Sequence, residues 1–139
     1  MSSQFKILCL CLVLFGCQGS STSEQEVYAY LLQNLAVKDG QNGAFILQNP
    51  GSPCGGCINT GNKLAEEYST VPTITTLSRR RLISASNCIV DTTGGLFDLL
   101  PSTFISYVLI KKDHELEFIP LEHKYQEIII KKFEELNLN

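Results

Sequence analysis

The stretch of sequence that decides the fold covers residues 44–57 and reads AFILQNPGSPCGGC. Its first four residues form a short apolar run, which suits a buried strand. The middle of the stretch is rich in proline, glycine and polar residues, so we expect a loop there. It ends on two cysteines, Cys54 and Cys57, separated only by Gly55 and Gly56. The pattern predicts a strand, then a loop, then a cysteine pair.

A helix is predicted directly after the first cysteine. Small and apolar residues recur there at helical intervals: Ile58, Gly61, Leu64, Ala65 and Tyr68. Cysteines three positions apart at the opening of a helix lie on one face, so their sulfurs can form a disulfide. The unpaired backbone N–H groups and the helix dipole favour the thiolate of Cys54. We therefore expect Cys54 to be the nucleophile and Cys57 the resolving thiol, while Gly55 and Gly56 leave room for a substrate.

The other segments predict an α/β domain. Apolar residues recur at helical spacing over 24–38 and again along the C-terminal segment 125–136. Three strand-forming runs lie between these helices, at 71–77, 103–110 and 116–118, and a polar turn at 111–114 separates the last two. We expect a central mixed sheet of about four strands, with flanking helices and a C-terminal β-hairpin followed by a helix.

The size and charge of the chain exclude some function classes. A chain of 139 residues is long enough for one modest domain. Its net charge is −3, and Arg79-Arg80-Arg81 is its only basic run, so we expect no nucleic-acid partner. Three adjacent arginines are typical of the solvent-exposed edge of a loop or helix. We expect the segment 79–86 that contains them to be helical or irregular. Gly94-Gly95 is interpreted as a turn.

The first 16 residues have the pattern of an export signal. Lys6 is their only charge, and the apolar run at 7–15 follows it. This run matches the central part of a signal peptide and is shorter than the roughly 20 residues needed to span a bilayer as a helix. The sequence therefore predicts a signal peptide over residues 1–16.

A lipidation site is predicted at the end of that signal. Leu14-Phe15-Gly16-Cys17 resembles a bacterial lipobox, although Phe15 is larger than the residue usual there. The resemblance implies that Cys17 carries lipid, that 17–23 is a flexible tether, and that 24–139 is the folded domain. The protein would then be an exported, membrane-anchored lipoprotein on the periplasmic or outer-membrane side. The alternative is an ordinary secretory signal with a chance cysteine.

The order of strand, Cys-x-x-Cys, helix, strand, proline, hairpin and final helix resembles thioredoxin over roughly residues 43–137. The similarity is to the thioredoxin-like lipoproteins of the bacterial envelope. It implies a thiol–disulfide oxidoreductase that needs no cofactor and acts on protein or small-molecule disulfides together with an envelope redox partner. Pro101 matches the family's cis-proline, which faces the cysteine pair and helps to hold the substrate. The alternative is that Pro101 is a trans proline in a turn.

The sequence departs from the family at positions near the cysteine pair. Pro53 stands where an aromatic residue usually precedes the first cysteine, and Gly56 replaces the usual proline between the two. The preceding strand ends in Gln48 and Asn49, where thioredoxin has a buried acid. These departures leave the redox potential and the direction of electron transfer open.

Two other interpretations of the cysteines remain. The Cys54–Cys57 pair could be a structural disulfide in a non-catalytic lipoprotein that binds a protein partner. Alternatively, the pair could bind a metal together with Cys88 and either His114 or His123. No second ligand pair at short spacing accompanies them, so we expect no metal. Cys88 is predicted to be a small buried residue.

Overall fold

The computed structural model describes residues 22–40, 42–76 and 87–138. These residues contain four α-helices, which are α1 (Thr22–Asn34), α2 (Gly55–Glu67), α3 (Gly95–Asp98) and α4 (Gln126–Glu135). A short 3₁₀ helix at His123–Tyr125 leads into α4. They also contain five strands, which are β1 (Asn42–Gln48), β2 (Thr73–Thr76), β3 (Cys88–Asp91), β4 (Tyr107–Lys112) and β5 (Glu115–Pro120).

The strands form one mixed sheet in the order β3-β2-β1-β4-β5. Strands β1, β2 and β3 are parallel, whereas β4 is antiparallel to both β1 and β5. The α/β class, the mixed sheet and the C-terminal hairpin followed by a helix are thereby confirmed. The sheet has a fifth strand that the sequence did not predict, β3. It is only four residues long and pairs on one side, so its sequence carries little of the usual strand pattern.

Both faces of the sheet are covered, which explains why β1 is apolar along its length. Ala44 and Ile46 point to one face, where they pack with buried residues of α2 and α4. Phe45 and Leu47 point to the other face, where they pack with buried residues of α1 and α3. The strand that leads to the cysteine pair is therefore fixed from both sides.

An aromatic contact joins the two helices on the first of these faces. The rings of Tyr68, just after α2, and Phe133, on α4, meet edge to face with their centroids 4.9 Å apart. Phe133 is fully buried. Because such pairs add to the free energy gained by burying apolar area, this contact holds α4 against the end of α2.

A buried carboxylate organises the turn between β3 and α3. Asp91 accepts hydrogen bonds from the backbone N–H groups of Leu96 (2.9 Å) and Thr93 (3.1 Å), and from the Thr93 hydroxyl (2.8 Å). The Tyr30 hydroxyl of α1 donates to both carboxylate oxygens at 3.2 Å. One side chain thus ties together the edge strand, the short helix and α1.

Two predicted turns are shorter in the structure than the sequence indicated. The predicted Gly94-Gly95 turn is correct for Gly94, which adopts a left-handed conformation with φ 74°, but α3 already begins at Gly95. The predicted turn at 111–114 is shorter than expected, because β4 continues through Lys112 and only Asp113-His114 separate it from β5.

Several other boundaries differ from the prediction. Helix α1 begins at Thr22, inside the predicted tether, and ends at Asn34, four residues early. It ends there because Ala36 has φ 52°, which is incompatible with a continuing α-helix. Strand β4 begins at Tyr107 instead of residue 103. The intervening residues form a loop whose polar groups bond to the loop before Cys54.

Some predictions lie outside the described residues. These are the signal peptide at 1–16, lipidation of Cys17, and the structure of 79–86 with its arginine run. Within the residues that are described, no helix is both long enough and apolar enough to cross a membrane.

Candidate redox site

The cysteine pair lies where β1 ends and α2 begins, as predicted. Cys54 is the N-cap residue of α2, and Cys57 lies in its first turn. The two sulfurs are 1.98 Å apart and form a disulfide, and the corresponding α-carbons are 5.3 Å apart. A disulfide with a separation of three residues fits the start of a helix because both side chains lie on one face.

The two cysteines differ in their exposure to solvent. Cys57 is 1% exposed, whereas Cys54 is only partly buried. Gly55 and Gly56 are both exposed, and a Cβ added to either would meet no atom within 4 Å. Another molecule can therefore approach the pair from the side of Cys54 and the two glycines.

The backbone provides a polar contact to the sulfur of Cys54, the more exposed cysteine. The N–H group of Cys57 donates to Sγ of Cys54 at 3.1 Å. In the reduced protein the same donor, together with the positive end of the α2 dipole, favours negative charge on Cys54. This arrangement suits a sulfur that attacks a disulfide when Cys54 is reduced, or that is attacked by a thiolate when Cys54 is oxidised.

A hydrogen-bonded loop that the sequence did not predict supports Cys54. The Ser52 hydroxyl accepts from the Cys54 N–H group at 3.2 Å and donates to the Phe104 carbonyl at 2.6 Å. The Asn49 side chain donates to the Thr103 carbonyl, and the Asn49 backbone N–H group donates to the Ser106 hydroxyl at 3.0 Å. The loop before β4 is thus joined to the loop before the disulfide.

One signal for this support was present in the sequence. A serine two residues before Cys54 can hydrogen-bond the N–H group of that residue, as serine commonly does in turns. Its second partner, Phe104, is 52 residues away in the chain. Sequence spacing alone does not reveal such a contact.

The structure places Pro101 in the loop before β4. The residue directly before β4 is Ser106, and Pro101 is exposed and five residues further back. No peptide bond among residues 22–40, 42–76 and 87–138 is cis, so the bond before Pro101 is trans. The loop between Pro101 and the sheet is longer than expected because β4 begins later than its apolar sequence indicated. A contact of Pro101 with substrate stays a prediction.

Gln48 lies at the end of β1, beneath the first turns of α2. Its side chain is fully buried, and its Nε2 donates to the Ile58 carbonyl at 2.9 Å and to Oδ1 of Asn62 at 3.1 Å. Its Oε1 is buried without a hydrogen-bond partner. Gly61 leaves the space for this amide, because a Cβ there would come within 3.0 Å of it. The site therefore requires a donor at Gln48.

The Gln48→Glu variant is expected to be less stable than the wild type by about 2–4 kcal/mol at neutral pH. A buried carboxylate at this position would face the Ile58 carbonyl and the Asn62 side-chain oxygen instead of donating to them. Such a carboxyl has a folded-state pKa above its unfolded value. The loss of stability caused by the substitution is therefore small below about pH 4 and grows as the pH rises.

Urea unfolding of wild type and variant at pH 4 and pH 7 measures this difference. The isosteric Gln48→Met variant, which carries no charge, serves as the control and is expected to show no such pH dependence. An equal loss of stability for Gln48→Glu at both pH values would contradict the described role of the amide.

The other cysteine and the two histidines do not join the pair. Cys88 has a free, partly buried thiol on the edge strand β3, and burial raises its pKa. His114 is exposed between β4 and β5, and His123 is exposed before α4. No group of three or more metal-binding side chains that could hold an ion occurs in the described part of the chain.

A cavity of about 590 Å³ lies elsewhere, between β5, α4 and the start of α1. Its lining mixes charged and apolar side chains and includes Glu117 and Lys132 but neither cysteine of the pair. Since the reactive groups lie outside it, we place the candidate site at the exposed end of α2.

Comparison with known proteins gives no relative from which function could be transferred. No protein-family model matches the chain, and no significant match was found among curated proteins or among solved structures.

Proposed function

We propose that this protein is a thiol–disulfide oxidoreductase in which Cys54 exchanges with the substrate and Cys57 resolves the intermediate. The observation that carries the proposal is the asymmetric disulfide at the start of α2. Cys54 is partly exposed and its sulfur accepts a backbone hydrogen bond, whereas Cys57 is buried. A sulfur that only staples the fold needs neither access nor an adjacent donor.

The exchange begins in the reduced chain with the thiolate of Cys54. It attacks one sulfur of the substrate disulfide, a Cys54–substrate disulfide forms, and the other substrate sulfur leaves as a thiolate. Cys57, once deprotonated, then attacks Sγ of Cys54. The Cys54–Cys57 bond forms and the second substrate thiolate leaves. Two electrons have passed to the substrate, and the reverse sequence oxidises a dithiol.

We further propose that the domain belongs to the thioredoxin-like group. The order β1, cysteine pair, α2, β2 and then β4, β5, α4 supports this proposal, since it is the order that the sequence resemblance implies. Two family features differ, because Gln48 replaces the buried acid and the bond before Pro101 is trans. Deprotonation of Cys57 must therefore rely on water or on the departing substrate thiolate.

The proposed location is the bacterial cell envelope, with the protein anchored to the membrane through lipid on Cys17. The support is the sequence pattern of residues 1–17 alone. Labelled palmitate should be incorporated into the full chain expressed in a bacterium and not into its Cys17→Ser variant. Equal labelling of the two proteins would remove this part of the proposal.

Turnover of a model disulfide tests the catalytic proposal. The comparison is between the full chain in detergent and variants that lack one sulfur of the pair. The alternative, a non-catalytic module with a structural disulfide, predicts no turnover by any of these proteins.

A further inference from the structure

We infer that Phe104 is a specificity residue that receives an apolar, uncharged stretch of polypeptide next to the substrate's reacting cysteine. The inference rests on the proposed function and deepens it. It assigns the substrate class to proteins or peptides whose cysteine has apolar neighbours.

Phe104 is unusually exposed for an aromatic residue. Its exposed fraction is 68%, compared with 48% for Ile128 and 42% for Val90, the other large apolar residues exposed in the described part of the chain. Covering a solvent-exposed aromatic ring with another apolar group lowers the free energy of the system. Aromatic residues of this kind are enriched among those that dominate binding energy at interfaces.

The backbone at Phe104 is held in place. Its carbonyl accepts from the Ser52 hydroxyl at 2.6 Å, and its N–H group donates to the Ser102 hydroxyl at 3.3 Å. The preceding carbonyl, of Thr103, accepts from the Asn49 side chain. Because these hydrogen bonds already hold the backbone at residues 103 and 104, binding of a partner there costs less conformational entropy.

The Ser52 hydroxyl places the backbone of Phe104 beside the backbone of Cys54, whose sulfur attacks the substrate. Ser52 bonds the Phe104 carbonyl and the Cys54 N–H group at once, so the two backbones are only two hydrogen bonds apart. Neither Val90, on the edge strand, nor Ile128, on α4, has such a connection to the pair. A substrate joined to Cys54 therefore brings its neighbouring residues close to Phe104.

The lack of charged side chains in the two segments that contain the disulfide and Phe104 indicates which class of substrate binds there. Neither 49–57, which contains the disulfide, nor 99–107, which contains Phe104, has a charged side chain. A small charged thiol would find no ion-pair partner in these two segments, whereas an apolar residue would lose water on contact with the ring. The chemistry favours an uncharged apolar polypeptide over a charged low-molecular-weight thiol.

The test measures kcat/KM of the full chain in detergent for two probes. One is a short peptide with a single intramolecular disulfide flanked by leucine and valine, and the other is hydroxyethyl disulfide. The readout is the ratio of the two kcat/KM values. We expect Phe104→Ser to lower this ratio about 10-fold, the size of effect typical of losing one apolar contact.

Ile128→Ser is the matched control, since it removes an exposed apolar side chain from α4, and its ratio should equal that of the wild type. Phe104→Leu should restore most of the ratio. An unchanged ratio in Phe104→Ser, or an equal fall in both variants, would overturn the inference while leaving the proposed function in place. Failure of the wild type to exchange with either probe would instead overturn the proposed function, and the inference with it.

Discussion

The Cys54→Ser variant should lose thiol–disulfide exchange by about a thousandfold or more, as expected when a covalent nucleophile is removed. The reason is geometric. Cys57 is 1% exposed, so its thiol cannot replace Cys54 in the attack on a substrate. A serine hydroxyl at the helix N-cap preserves capping of α2, so the variant should fold. Steady-state turnover of hydroxyethyl disulfide by the full chain in detergent measures the loss.

Two further variants give this prediction its controls. Cys57→Ser should also stop turnover, but it should accumulate a mixed disulfide on Cys54 that mass spectrometry detects, because the resolving thiol is missing. Cys88→Ser should leave turnover unchanged, since the partly buried Cys88 thiol lies on the edge strand β3 and burial raises its pKa. Substantial turnover by Cys54→Ser would end the proposed mechanism.

The Asp91→Ala variant is expected to lose about 2–4 kcal/mol of the free energy of unfolding at pH 7. Asp91 is 1% exposed, and its removal leaves the buried N–H group of Leu96 without a partner. The Thr93 and Tyr30 hydroxyls also lose Asp91 as an acceptor, and only the 2.7 Å contact between the two hydroxyls is left to them. Urea unfolding monitored by circular dichroism measures the loss.

The contribution of Asp91 should depend on pH in a defined direction. Burial acts to raise the pKa of Asp91, but the hydrogen bonds from Leu96, Thr93 and Gly94 outweigh it and hold the pKa below the usual value. Because the folded-state pKa is the lower one, the stabilisation is complete above the unfolded value of about 4 and is lost as the pH falls through the folded value.

The Asp91→Asn variant separates the charge from the hydrogen bonds. It keeps one acceptor oxygen, so we expect a smaller loss at pH 7, about 1–2 kcal/mol. The difference in stability between wild type and Asp91→Asn should shrink between pH 5 and pH 2. A difference that stays constant over this range would show that the carboxylate charge does not contribute.

Local patterns in the sequence were sufficient to predict much of the fold. The apolar run in β1 and the helical spacing after Cys54 are both dictated by burial on the sheet faces, so they identified the strand, the disulfide and α2. The same reasoning found the C-terminal helix. Strand β3 escaped prediction because four residues at a sheet edge bury too little surface to impose a pattern.

The surroundings of the disulfide could not be predicted because they depend on contacts between distant segments. The apolar composition of 103–110 as a whole suggested a strand from residue 103, but hydrogen bonds to Asn49 and Ser52 hold 103–106 as a loop. From the sequence, Gln48 indicates only that the acid usual in thioredoxin is absent. Its role as a donor to Ile58 and Asn62 follows from the position of α2, which no local pattern specifies.

The reduction potential of the Cys54–Cys57 pair tests the central claim most directly. The full chain in detergent is equilibrated with glutathione redox buffers, its free thiols are alkylated, and the alkylated fraction is counted by mass. The account predicts a midpoint between about −120 and −270 mV, the range of disulfides that exchange with substrates. A midpoint below about −300 mV would mark a structural disulfide and would contradict the proposed catalysis.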